Sequence, residues 1–188
     1  MGHKYTALMF TDSVKSQQQQ MGSRSNYARM EEGEDYNDQL SAAEADFIAK
    51  RDSFYMASVS ETDWPYVQHR GGPVGFMRII DANTIGFADF RGNRQYISTG
   101  NFKHSDRVSL IFMDYPNRSR LKLMGHIEVI DEDQPEILAQ LQVDDYRATI
   151  ERGFIIHIAA FDWNCPQHIT PRFTQQEVAV LVAQHEHE

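Results

Sequence analysis

The chain has 188 residues, 41% of them hydrophobic, which is enough for one well-buried core and short for two. Its formal net charge of -9 argues against a general nucleic-acid binder, which presents a basic face to phosphates. No run of about 18 apolar residues occurs, and the start MGHKYTALMF has no secretory pattern, so the expectation is a soluble, cytoplasmic protein without a membrane partner.

Residues 1–40 read as a polar N-terminal arm, with the run Gln17 to Gln20 and the acidic stretch Glu31, Glu32, Glu34 and Asp35. Leu8, Met9, Phe10, Tyr27 and Met30 give the arm apolar side chains with which to lie on the rest of the chain or on a partner. Residues 41–188 read as a single domain. It opens with Ser41 and Glu44, spaced as a capping box, which predicts a short helix near 42–50.

The period then changes from 3.6 to 2. The segments 54–60, 65–70, 76–80, 84–89, 108–115 and 120–130 are short, rich in β-branched and aromatic residues, and separated by turn residues such as Gly71-Gly72-Pro73 and Pro116-Asn117. So many strands in so little chain predict a closed or nearly closed β system. In the last of them Leu121, Leu123, Ile127 and Val129 alternate with Arg120, Lys122, His126 and Glu128, which puts Arg120 and Lys122 together on the face away from the core. Residues 95–102 predict one or two helical turns, Pro135 to Leu141 a helix and Phe154 to Phe161 a further strand. After an irregular stretch, Thr174 with Glu177 caps a last helix carrying Val178, Leu181 and Val182. The fold class is therefore mainly β with peripheral helices.

Charge is unevenly spread. Between Arg91 and Lys122 seven cations face two anions, Asp106 and Asp114, inside an acidic chain. Such a zone suits a small anionic ligand, and a set of solvated surface charges would look the same. The glycine-rich signatures of dinucleotide and P-loop sites are missing, so an anion would have to be held by side chains and a turn. Phe90-Arg91-Gly92-Asn93-Arg94-Gln95, at the end of a strand, is such a turn, or else an ordinary strand-to-helix connection with a surface arginine. Gln68, His69 and Arg70 end another strand and need polar partners, from a heteroaromatic ring or from a hydrogen-bonded rim. Cys165 and His168 supply two of the usual four zinc ligands, and His185 and His187 flank glutamates near the end, so no metal site is assigned. A single cysteine excludes an intramolecular disulfide, and no paired base can be named for it.

Taken in order, WPYVQHRGGP, GFADFRGNRQYISTGNF, DRVSLIF and SRLKLMGHIEVI resemble the FMN-binding split β-barrel of the pyridoxamine 5'-phosphate oxidase-like family, from about Asp46 to Ile130, with a weaker echo in 154–173. The resemblance implies flavin mononucleotide (FMN) as cofactor, held between two subunits of a homodimer. It implies that Gln68, His69 and Arg70, with Ala88 and Asp89, face the isoalloxazine and ribityl groups. Asn93, Arg94 and Gln95 fall at the phosphate-loop positions where the family commonly shows Ser-Arg-Lys. Gln95 replaces the lysine, and Arg120 and Lys122 match the strand that adds a polar residue and a cation. Trp163 and Arg172 resemble the tryptophan and arginine that reach the flavin from the second subunit. The activity implied is that of an FMN-dependent oxidoreductase of unknown substrate with no nameable catalytic side chain, or else a non-catalytic flavin carrier or sensor. The arginine-x-histidine substrate signature of the true oxidase is absent near the C-terminus.

Overall fold

The computed structural model describes residues 2–163 and 165–185; His187 lies outside them. In the arm, α1 (Lys4–Met9), α2 (Asp12–Gln20) and α3 (Arg24–Ala28) are short helices, followed by a 3-10 turn at Arg29–Glu31. The capping box predicted at Ser41 and Glu44 starts α4 (Ala42–Ala49), with the Ser41 amide donating to Glu44 Oε2 at 3.0 Å. Then come β1 (Ser53–Val59), β2 (Pro65–Gly71), β3 (Arg78–Asp81), β4 (Thr84–Phe90), α5 (Ile97–Asn101), β5 (Arg107–Asp114), β6 (Ser119–Ile130), α6 (Pro135–Leu141), β7 (Ile150–Trp163) and α7 (Gln175–His185).

All seven strands join one antiparallel sheet in the order β2-β1-β5-β6-β7-β4-β3. The sheet curls until its ends meet through side chains. Phe54 of β1 lies edge-on to Phe87 of β4 at 5.2 Å and tilted on Phe112 of β5 at 5.3 Å, and Phe87 in turn packs on Phe154 of β7 at 5.2 Å. These aromatic rings, each buried, form the centre of the core. Across the meeting line Arg70 of β2 pairs with Asp89 of β4, without a backbone ladder between those strands. The architecture is a split β-barrel, mainly β with helices at its margins.

Strand boundaries differ from expectation by more than one residue at two places. The segment predicted as 76–80 enters β3 only at Arg78, because Phe76 and Met77 turn into the core ahead of it. The strand predicted as 154–161 spans 150–163, long enough to pair with β6 along one edge and β4 along the other.

The arm is polar where expected, since α2 buries no residue. Its start, however, is docked. His3 and Thr6 are buried, the His3 amide donates to the Met30 carbonyl at 2.7 Å, and α1 packs on β7. His3 Nε2 lies 3.4 Å from Asp162, and Asn37 Nδ2 is 3.0 Å from the same ring nitrogen. Among the described residues no helix is long and apolar enough to cross a membrane.

Candidate functional site

The meeting line of the barrel creates the site. Along β2 side chains alternate, so Gln68 and Arg70 share a face that looks towards β4. Arg70 Nη1 donates to Asp89 Oδ1 at 2.6 Å, with the guanidinium 5.5 Å from the Phe154 ring centroid. Ser98 of α5, itself buried, donates to Gln68 Oε1 at 3.0 Å and so fixes that amide. Burial pushes the Asp89 carboxyl above the usual carboxylate range, and Arg70, then Arg152, pull it back without cancelling the effect.

Two adjoining recesses open here. One, of about 210 Å³, is lined by Gln68, Arg70 and Asp89 and continues along the turn after β4 through Gly92, Asn93, Arg94 and Tyr96 to Glu151. The other, of about 180 Å³, runs past His69, Phe87 and Ala88. In the turn Asn93 Oδ1 accepts from the Gln95 amide at 3.2 Å. Arg94 and Tyr96 both adopt left-handed backbone, at φ 59° and 54°, which is uncommon for residues with a side chain and folds the turn back on itself. A Cβ on Gly92 would meet nothing within 4 Å, so the turn has free space before it.

Of the residues singled out from sequence, Gln68, His69, Arg70, Ala88, Asp89, Asn93 and Arg94 come together around these recesses. His69 borders the second recess, yet its ring stands edge-on to Tyr55 at 5.5 Å, on the opposite face of β2 from Gln68 and Arg70. Strand alternation is the reason: three consecutive strand residues cannot all face one ligand. Gln95 is exposed in the same turn and is not part of the lining.

The remaining four lie elsewhere in the chain. Lys122 of β6 donates to Tyr5 Oη of the arm at 2.7 Å and sits 3.3 Å from Asp162. Arg120 is half-buried on the same strand, and its Nε is buried without a hydrogen-bond partner. Trp163 donates from Nε1 to Glu44 Oε1 at 2.7 Å and packs edge-on to Phe47 at 4.7 Å. Arg172 lies over the Tyr115 ring at 4.9 Å and lines a separate recess beside the β5–β6 turn.

Sequence reasoning missed Arg152, Glu151, Tyr96 and Thr99. Arg152 donates from Nη1 to Thr99 Oγ1 at 3.2 Å and places its guanidinium 5.0 Å from the Tyr96 ring centroid. Its only signal is the β4–β7 register, which sets Arg152 opposite Asp89 and which nothing local in the sequence announces. Among the described residues no group of three or more His, Cys, Asp or Glu is placed to hold a metal, and Cys165 is free and exposed.

The chain was compared with known proteins. A search of curated proteins found no significant match. Among solved structures, a candidate pyridoxamine 5'-phosphate oxidase from Lactobacillus delbrueckii superposes with a TM-score of 0.51 at 17% identity, covering 66% of this chain and 94% of its own. HupZ from Group A Streptococcus gives 0.51 at 16% identity over 71% and 99%, and the conserved hypothetical protein Rv2991 of Mycobacterium tuberculosis gives 0.51 at 17% over 76% and 96%. At these identities the likeness speaks for the fold. The family profile described as pyridoxamine 5'-phosphate oxidase matches residues 40–161, from just before α4 almost to the end of β7. The chain belongs to the pyridoxamine 5'-phosphate oxidase family.

Proposed function

We propose that the cleft between β2 and β4 binds FMN, and that the protein is an FMN-dependent oxidoreductase. The observation that carries this reading is Arg70: its Nε is buried with no hydrogen-bond partner on the wall of a recess, while Nη1 is held by Asp89. A buried donor without an acceptor costs about 1–3 kcal/mol, and a ring edge rich in carbonyl and nitrogen acceptors would satisfy it. The turn at 91–96 adds Arg91 and Arg94 beside open space at Gly92, which suits a phosphate of about two negative charges. Charge-assisted hydrogen bonds of about 1.5–3 kcal/mol each, together with a buried ring, are sufficient for micromolar affinity, about -8 kcal/mol.

When bound, FMN supplies the redox chemistry. Gln68 and Arg70 would orient the ring, Ala88 leaves room beside it, and Arg94 would hold the phosphate. A flavin would span both recesses, and Arg120, Lys122, Trp163 and Arg172 line neither of them, so completion of the site would come from outside the cleft. A second copy is the source we propose, in a homodimer whose Arg120, Lys122, Trp163 and Arg172 approach the partner's cleft.

A second reading, a flavin carrier or sensor without turnover, is favoured by one feature. The two carboxylates lining the recesses, Asp89 and Glu151, are both committed to arginines, so neither stands ready as an acid or base.

An absorption spectrum of the freshly purified protein, then of the protein incubated with FMN, tests the flavin claim. Flavin bands are expected, and a protein that is colourless as purified and retains no FMN after incubation and removal of the free flavin refutes it. Mixing the yellow protein with reduced nicotinamide and oxygen separates the two readings: repeated reduction and reoxidation supports the enzyme, and a flavin that none of these reagents turns over supports the carrier. Sedimentation tests the dimer, and a monomer that binds FMN tightly would overturn it.

A further inference from the structure

The turn after β4 already faces an anion of the chain's own. Glu151 Oε1 accepts from Arg91 Nε at 3.0 Å and from Tyr96 Oη at 3.1 Å, and Oε2 lies 3.6 Å from Arg152 Nη2. Arg94 Nε donates at 3.0 Å to the same Tyr96 oxygen. One carboxylate, only 10% exposed, thus gathers two arginines directly and a third through a phenol. Glu151 also lines the larger recess with Gly92, Asn93 and Arg94, so it shares the space in which a ligand anion would lie. Its position is set by the irregularity in the β4–β7 ladder after Asp89, beyond which the Arg91 amide donates to the Thr149 carbonyl at 2.8 Å. Burial alone would raise the Glu151 carboxyl, but the bonds from Arg91 and Tyr96 hold it below the usual carboxylate range, so it is ionised at neutral pH.

We propose that Glu151 is an internal surrogate for the ligand phosphate and thereby a specificity-determining residue of this cleft. The inference rests on the reading that the turn at 91–96 takes the phosphate of FMN. Without an anion, Arg91, Arg94 and Arg152 would repel one another, and Glu151 holds them in the binding arrangement. An incoming phosphate must take over bonds that Glu151 now makes, and it does so beside a like charge. A small free anion brings no other binding energy and is turned away. A phosphate joined to a ring that fits against Gln68 and Arg70 brings enough to displace the carboxylate.

Glu151→Gln keeps the size and an accepting oxygen and removes only the charge. Removing one like charge a few ångströms from a dianion is worth on the order of tenfold in affinity even with water-like screening. The variant should therefore bind FMN about tenfold more tightly, while riboflavin, which has no phosphate, changes by less than about twofold. Inorganic phosphate at millimolar concentration should compete with FMN in the variant and fail to do so in the wild type. If the amide does not fit and the variant misfolds, Glu151→Ser carries the same comparison. FMN binding by the wild type with no gain in the variant, or an equal change for riboflavin, overturns the inference alone. Absence of flavin binding by the wild type overturns the flavin reading and the inference with it.

Discussion

The Arg70–Asp89 pair joins the two ends of the curled sheet, and its removal has a calculable cost. The two side chains are 14% and 9% exposed and meet at 2.6 Å. Arg70→Met keeps an apolar stem near Phe87 and Phe154 but strands the Asp89 carboxylate, with Arg152 Nε at 3.9 Å as the remaining cation. Stranding one partner of a buried pair costs about 3–5 kcal/mol. Arg152 offsets part of this, so the expected loss is about 3 kcal/mol, or roughly 6–12 °C in Tm for a chain of this length. The loss should depend on pH. The Asp89 carboxyl is already raised by burial, and without Arg70 it rises further. A carboxyl whose folded pKa lies above its unfolded value holds its proton more tightly in the fold. Stability is then fully present below the unfolded pKa and is lost as pH rises through the folded one. Urea unfolding followed by circular dichroism, at about pH 7 and about pH 5, should show the variant's deficit against wild type shrinking on acidification. Adding Asp89→Asn removes the stranded charge and should recover most of the loss. A deficit under about 1 kcal/mol at neutral pH, or one equal at both pH values, refutes the reasoning.

Gly125→Ala should cost about 1–3 kcal/mol in urea unfolding, because a Cβ there would stand 2.7 Å from the His157 carbonyl oxygen, a backbone atom that cannot move aside. Glu44→Gln should cost about 1–2 kcal/mol at neutral pH: burial would raise this carboxyl, but bonds from Ser41 and then Trp163 hold it below its usual range. That contribution is present above the ordinary carboxylate pKa and lost as pH falls through the folded value, so the difference between variant and wild type should fade below about pH 4. His3 is lowered mainly by burial, against the pull of Asp162, so its share of stability is present above about pH 6.5 and lost as pH falls through the folded value. Protection of the amides in residues 2–10, corrected for the intrinsic pH dependence of exchange, should fall on acidification in the wild type and lose that dependence in His3→Gln.

The barrel was legible because its signals are local. Ser41 and Glu44 announce α4, and the alternation of Leu121, Leu123 and Ile127 announces β6 and its buried face. Half of the site was legible for the same reason, since Gln68, Arg70, Asp89 and Arg94 belong to two short segments. The rest depends on long-range register. Arg152 and Glu151 arrive from a strand some sixty residues further on, and only the β4–β7 pairing sets them beside Asp89 and Arg91. Docking of the arm was expected through Leu8, Met9 and Phe10, but Leu8 and Met9 are exposed and polar contacts carry α1: Tyr5 to Lys122 and His3 to Asp162 have no hydrophobic period to betray them. Under the proposed reading those contacts bear on how the site would be completed. In one chain the arm and Asp162 engage Lys122, the cation proposed to reach the partner's flavin, so its release or sharing is part of what a dimer must achieve.

The turn after β4 is proposed to hold the phosphate of a flavin whose ring lies between β2 and β4. Titration of FMN and of riboflavin, followed by quenching of flavin fluorescence, tests it in wild type and in Arg94→Ala. Micromolar or tighter FMN binding by the wild type is expected, with a loss of about tenfold or more for FMN in Arg94→Ala and riboflavin little changed. Failure of the wild type to bind FMN, or an equal loss for the two flavins, would contradict it.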